Sequence, residues 1–112
     1  MVWTMAVDVD LHKRVRALLA GDMVITERAM FGGVAFMCSG NMAVGIVDDR
    51  LMVRVGRDNW DDALRQPHVA EMDFTGRSMK GFVYVMPEGL VGEDLTKWVD
   101  AGLRFACSLP AK

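Results

Sequence analysis

The chain has 112 residues, of which 52% are hydrophobic and 25% charged, and its formal net charge is −2. A chain of this length builds one hydrophobic core and not two, and this composition is that of a folded chain rather than a disordered one. The mild acidity excludes a protein that grips nucleic acid with its whole surface, while leaving room for a local basic patch.

In chain order, Asp10 to Ala20 has helical spacing. Leu11, Val15, Leu18 and Leu19 form an apolar stripe, Lys13, Arg14 and Arg16 point elsewhere, and Gly21 supplies a stop. From Val24 the period becomes two. A strand is expected over 24–30, leading into Met30-Phe31-Gly32-Gly33, where adjacent glycines mark a turn or a close backbone approach. Val34, Phe36 and Cys38 alternate with Ala35, Met37 and Ser39 in a second strand, Ser39-Gly40-Asn41 reverses the chain, and Met42, Val44 and Ile46 continue in a third. Asp48-Asp49-Arg50 makes the next turn, and Leu51, Val53 and Val55 share one face of a fourth strand, which completes an antiparallel meander.

The pattern then switches. Asp58 is placed to cap a short helix containing Trp60, Ala63 and Leu64, and Pro67 ends it. Ala70, Met72 and Phe74 form a half-exposed strand, Thr75 to Ser78 a turn, and Gly81 to Met86 a further strand closed by Pro87 and Gly89. The final helix is expected from about Glu93 to Cys107, with Leu95, Trp98, Val99, Gly102, Leu103 and Ala106 at helical spacing. The order of helix, meander, helix, hairpin, helix is met most economically by a two-layer α+β sandwich, an antiparallel sheet with helices packed on one face. No repeat or linker divides residues 1–112, so a single domain is expected.

One face of that sheet then lacks a cover. Ala35, Met37, Ala43, Gly45 and Val47 oppose the helix-facing residues and are themselves small or apolar. A homodimer is the simplest cover and a small-molecule pocket the alternative. The ten methionines, several of them in strands, read as fillers of an irregular core. Cys38 and Cys107 match neither zinc nor redox-pair spacing and read as buried thiols, which makes a reducing, cytoplasmic compartment the default. Met1 to Val9 lacks the pattern of a signal peptide, and charges or glycines interrupt every apolar run before it reaches membrane-spanning length.

Catalytic patterns are sparse. His12 and His68 have no nucleophile near them in sequence and read as surface histidines, so no catalytic residue is assigned and the chain is expected not to be an enzyme. Asp48-Asp49 suits a turn better than a metal site, and Asp61-Asp62 suits a helix N-terminus; no metal and no cofactor is assigned. Gly76-Arg77-Ser78-Met79-Lys80-Gly81 surrounds two cations with glycines but lacks the spacing of a nucleotide-binding loop, and reads as a plain connection between strands. Among Arg28, Arg50, Arg54 and Arg57, Arg54 stands apart because Val53 and Val55 point to the opposite face. It is placed to meet a carboxylate, a phosphate or a dimer partner, or simply to be solvated. Lys13, Arg14 and Arg16 read as a solvated helix face without the aromatic platform of a nucleic-acid site.

Taken in register, Glu27-Arg28 before Met30-Phe31-Gly32-Gly33, Gly40-Asn41-Met42, Leu51 to Gly56, Met72 to Arg77, Met79 to Val85, Trp98-Val99 and Ser108-Leu109-Pro110 resemble the TfoX N-terminal domain family, also called TfoX/Sxy. The resemblance covers nearly the whole chain and implies a two-layer α+β domain. The family is named for a bacterial regulator of competence genes that carries a further C-terminal domain; here the chain stops soon after its last helix, so a stand-alone domain is expected. Ala29 and Ser78 stand where relatives often carry a basic residue and a proline. The resemblance brings no catalytic residues. It leaves a non-enzymatic interaction or regulatory module, homodimeric or docked to a protein partner, as the leading expectation. The alternatives are a transcription-linked contact with DNA or RNA polymerase and the binding of a small anion. No membrane association is expected. The candidate ligand or partner contacts are Arg28, Phe31, Gly32, Gly33, Arg54, Arg77 and Lys80.

Overall fold

A computed structural model describes residues 7–20, 25–30, 33–74 and 77–111. The first helix, α1 (Val9–Leu19), precedes strands β1 (Ile25–Met30), β2 (Gly33–Cys38), β3 (Asn41–Val47) and β4 (Arg50–Arg54). A short helix α2 (Trp60–Leu64), strands β5 (Val69–Phe74) and β6 (Arg77–Val85), a 3₁₀ turn at Pro87–Gly89 and the long helix α3 (Glu93–Ser108) complete the chain. The strands form one antiparallel sheet in the order β1-β2-β3-β4-β6-β5. This is the expected α+β architecture, with the last hairpin inserted so that β6 lies against β4.

Local chemistry accounts for the elements. The Asp8 carboxylate caps α1 by accepting from the Leu11 amide at 2.9 Å, and Leu11, Val15 and Leu19 bury one stripe of the helix. Leu18, expected in that stripe, is exposed instead, since positions 11, 15 and 19 already fill the contact. Phe36 pairs with Val44 but Met37 pairs with Met42, so Ala43 is an extra residue on β3 and forms a bulge. The helix-side core sits over this region. Val34 and Phe36, Val44 and Ile46, Leu51 and Val53, and Val83 and Val85 meet Leu95, Trp98 and Val99 of α3 together with the α1 stripe. These side chains are almost wholly removed from water, which at roughly 1.5–3 kcal/mol for each large aliphatic group is the main source of stability.

Three expectations are corrected. Cys38 and Cys107 are not separate thiols but a disulfide, with Cα atoms 5.5 Å apart, tying the end of β2 to the last turn of α3. The case for a reducing compartment therefore loses its premise. Arg77 and Ser78 do not form a turn and Met79-Lys80 is not a loop: all four belong to β6, because Phe74 pairs with Arg77 and Asp73 with Ser78. Asn59, not Asp58, precedes α2, and it makes no side-chain cap; its amide donates to the Val55 carbonyl instead.

The face turned away from the helices has a core of its own. Met52 and Met72 are completely buried there, packed with Tyr84 and flanked by partly buried Met42, Val47, Met79, Phe82 and Met86. Long, flexible methionine side chains and aromatic rings lie over one another there, so the centre of the face is covered within the chain. Among the described residues the exposed large apolar side chains are Val9, Leu18 and Val91, and none lies on this face. Gly21, Val24, Phe31, Gly32, Thr75 and Gly76, used above for a helix stop, strand ends and turns, lie outside the described residues. No helix among those described is long and apolar enough to cross a membrane.

Candidate functional site

The sequence-chosen cations separate into two groups. Arg28 lies on the edge strand β1, in register with Ala35, and is exposed. Arg54 ends β4 on the other side of the sheet's centre, opposite Phe82 of β6. With Arg57, Lys80, Gly56 and Gly81 it lines a basin of about 590 Å³ floored by Phe82 and Phe105. Arg77 starts β6 in register with Phe74, and Gly33 starts β2 opposite Met30.

Gly33 proves to be a packing residue: a Cβ at that position would lie 2.0 Å from the Ile46 carbonyl oxygen. The need for glycine there comes from the closeness of β3, and no ligand has to be invoked. Gly33 is therefore legible as architecture, while Phe31 and Gly32 lie outside the described residues.

The basin is built at the point where β4 leaves the sheet. The Val55 and Gly56 amides both donate to the Gly81 carbonyl, at 2.8 and 3.1 Å, and the Trp60 indole donates to the Phe82 carbonyl at 3.0 Å. Gly56 has φ of +85°, and a Cβ there would lie 2.5 Å from Phe105 Cε1, so the ring of α3 seats directly on this turn. The Arg54 guanidinium carbon lies 5.3 Å from the Phe82 ring centroid and 5.5 Å from that of Phe105. Two aromatic faces thus hold a half-buried cation in place without neutralising it. Arg57 and Lys80 are exposed beside it. Among the described residues none of these three cations has an ion-pair partner, and Asp58 is the one acid on the basin wall.

Other charged positions are already engaged. Arg16 donates to both Glu27 oxygens, at 2.8 and 2.7 Å, and His12 Nε2 lies 3.0 Å from the same carboxylate. The hydrogen bonds from Arg16 hold the Glu27 carboxyl below the usual carboxylate range, against an opposing effect of burial and with a smaller contribution from His12. His12 also presents its ring edge-on to Phe36, so it is a packed, paired residue rather than a free surface histidine. Arg14 donates to the Leu90 carbonyl. The helix face expected to be solvated is therefore largely committed to tertiary contacts, leaving Lys13 exposed. Arg50 stacks 4.4 Å above Tyr84 and reaches Asp48 at 3.4 Å. His68 sits at a turn with φ of +64°, its carbonyl accepting from the Met86 amide. Among the described residues no group of three or more His, Cys, Asp or Glu is arranged to hold a metal ion.

Phe105, Gly56 and Phe82 are site residues that the sequence reading passed over. A signal existed for Phe105: it is an aromatic residue outside the buried stripe of α3, which runs through Leu95, Trp98, Val99, Gly102 and Ala106. Next to the basin, and sharing Val55, Asn59 and Phe105 with it, a cleft of about 540 Å³ opens between α2 and α3.

Comparison with known proteins adds one result. The model of the TfoX N-terminal domain matches residues 17–106, which contain the whole sheet, α2 and most of α3. No curated protein and no solved structure matches the chain.

Proposed function

We propose that this chain, which belongs to the TfoX N-terminal domain family, is a non-enzymatic interaction module whose working site is the basic basin at the end of β4 and β6. Its task there is to take an anionic group of a partner or small ligand. The observation that carries this reading is Arg54, stacked between Phe82 and Phe105 beside Arg57 and Lys80, with no carboxylate paired to any of the three among the described residues. A cation held by ring faces keeps its hydrogen-bond donors for an incoming anion, and in a chain of net charge −2 such a concentration is a local feature with a local use. Support for a non-catalytic role comes from the histidines, one packed against Glu27 and Phe36 and the other at an exposed turn, and from the cysteines, which are joined.

Isothermal titration with inorganic phosphate tests this. Saturable binding that weakens at least tenfold in Arg54→Met supports the reading. Equal binding by both proteins, or none by the wild type, sinks it.

Homodimerisation is a second reading, favoured by the half-exposed rim of Met42, Val47, Met79, Phe82 and Met86 around the buried methionine centre. Size-exclusion chromatography with light scattering, at low and high salt and with duplex DNA, separates the possibilities. A dimer that persists in high salt and ignores DNA supports self-association. A monomer that moves onto DNA only in low salt would instead put a transcription-linked role first.

A further inference from the structure

The basin does not end at its cations. The cleft between α2 and α3 adjoins it, and the two spaces share Val55, Asn59 and Phe105 as lining. The cleft differs in chemistry: its lining is mainly apolar, with Ala63, Trp98 and Ala101 as its walls, and the amides of Asn59 and Gln66 at its margin. From this juxtaposition we infer that the ligand is a small aromatic phosphate monoester, its phosphate on Arg54, Arg57 and Lys80 and its flat ring in the α2–α3 cleft against Trp98 and Phe105. The inference rests on the reading of the basin as an anion site and specifies what else the ligand carries.

Three observations argue for this class. First, the sizes fit: each space, at about 540 and 590 Å³, lies in the range of small-molecule sites of roughly 300–1,000 Å³ rather than that of a protein interface. Second, the charge balance of the basin fits a dianion, since Arg54, Arg57 and Lys80 face a single acid, Asp58. Third, the cleft's own charges are arranged around rings or already paired. Lys97 Nζ lies 5.1 Å from the Trp98 ring centroid, Asp62 is bound by Arg65 at 2.8 Å, and Arg104 is bound to Asp100 at 2.7 Å. The cleft therefore offers aromatic and apolar surface with a positive margin, which suits a flat ring and disfavours a second anion deep inside it. Phe105 is the pivot, touching the cation site and the cleft at once.

The test compares 1-naphthyl phosphate, adenosine 5′-monophosphate, inorganic phosphate and 1-naphthol by heteronuclear NMR titration of the whole chain. The expected result is that at least one aromatic phosphate binds tenfold or more tightly than inorganic phosphate and than naphthol. Which of the two is tighter distinguishes a simple aryl phosphate from a nucleotide. Ala101→Leu narrows the cleft and should reduce the preference to threefold or less, in a protein whose amide spectrum remains dispersed. If inorganic phosphate binds and the aromatic esters bind no better, the inference falls while the anion site stands. If none of the phosphates binds, both fall.

Discussion

Two corners of this molecule gather basic side chains, and they end differently. At the α1–β1 corner, Arg16 pairs with Glu27, and His12 Nε2 lies within hydrogen-bond distance of the same carboxylate. At the β4–β6 basin, Arg54 is held by the faces of Phe82 and Phe105, and it and its neighbours Arg57 and Lys80 find no ion-pair partner among the described residues. The first arrangement uses charge to fasten a helix to an edge strand. The second keeps charge in reserve. The presence of arginine says little about a site; what the guanidinium already touches says much more.

That contrast can be sharpened by substitution. The largest effect is expected outside both clusters, at the disulfide that anchors the end of α3 two residues after Phe105. Closing a span of 69 residues, it contributes about 4 kcal/mol by restricting the unfolded chain. The double change Cys38→Ala, Cys107→Ala should lower stability in urea denaturation by an amount of that order. An unchanged midpoint would show that α3 is held by packing alone. Gly56→Ala is expected to cost about 2 kcal/mol, since an L residue must adopt a positive φ and displace the Phe105 ring. It should disturb anion binding as well, and a variant that binds normally would separate the ring's position from the site. Arg54→Met should leave thermal stability within about 0.5 kcal/mol of the wild type, because a reserved cation contributes little to the fold. A large loss would identify it as a structural residue instead.

A small effect is expected at the paired corner as well. Glu27→Gln should cost under about 1 kcal/mol at neutral pH, as its ion pair with Arg16 lies at the surface and is screened by solvent. Its carboxyl is held lower in the folded chain than in the unfolded one, so the stabilisation is fully present above the unfolded value. It fades as the pH falls below about 4, through the lower folded-state value. Urea denaturation of wild type and variant across that range should converge at acid pH. Curves that stay parallel would show that the pair does not contribute.

The sequence carried the architecture because period and punctuation agree along the chain. The alternation through Val34, Phe36 and Cys38, the reversal at Ser39-Gly40 and the α3 stripe each correspond to an observed element. It did not carry the disulfide, since nothing in a separation of 69 residues brings Cys38 and Cys107 together until β2 and α3 are packed. Nor did it reveal that Met52 and Met72 are buried on the far face: methionines alternate like other apolar residues, and their folding over one another is a property of side-chain length. Of the candidate site, Arg54 was legible from its position between Val53 and Val55, and Arg57 and Lys80 were named as cations. Their meeting was not legible, because it depends on β6 inserting beside β4 and on α3 delivering Phe105 to the same turn.

A map of amide shifts during phosphate addition is the sharpest test of whether the anion site lies in the β4–β6 basin. The expected perturbations cluster at Gly56, Arg57, Gly81, Phe82 and Phe105, with the α1–β1 corner around Glu27 and Arg28 unmoved. Shifts centred on Arg28 and Gly33, or small changes spread evenly over the surface, would contradict it.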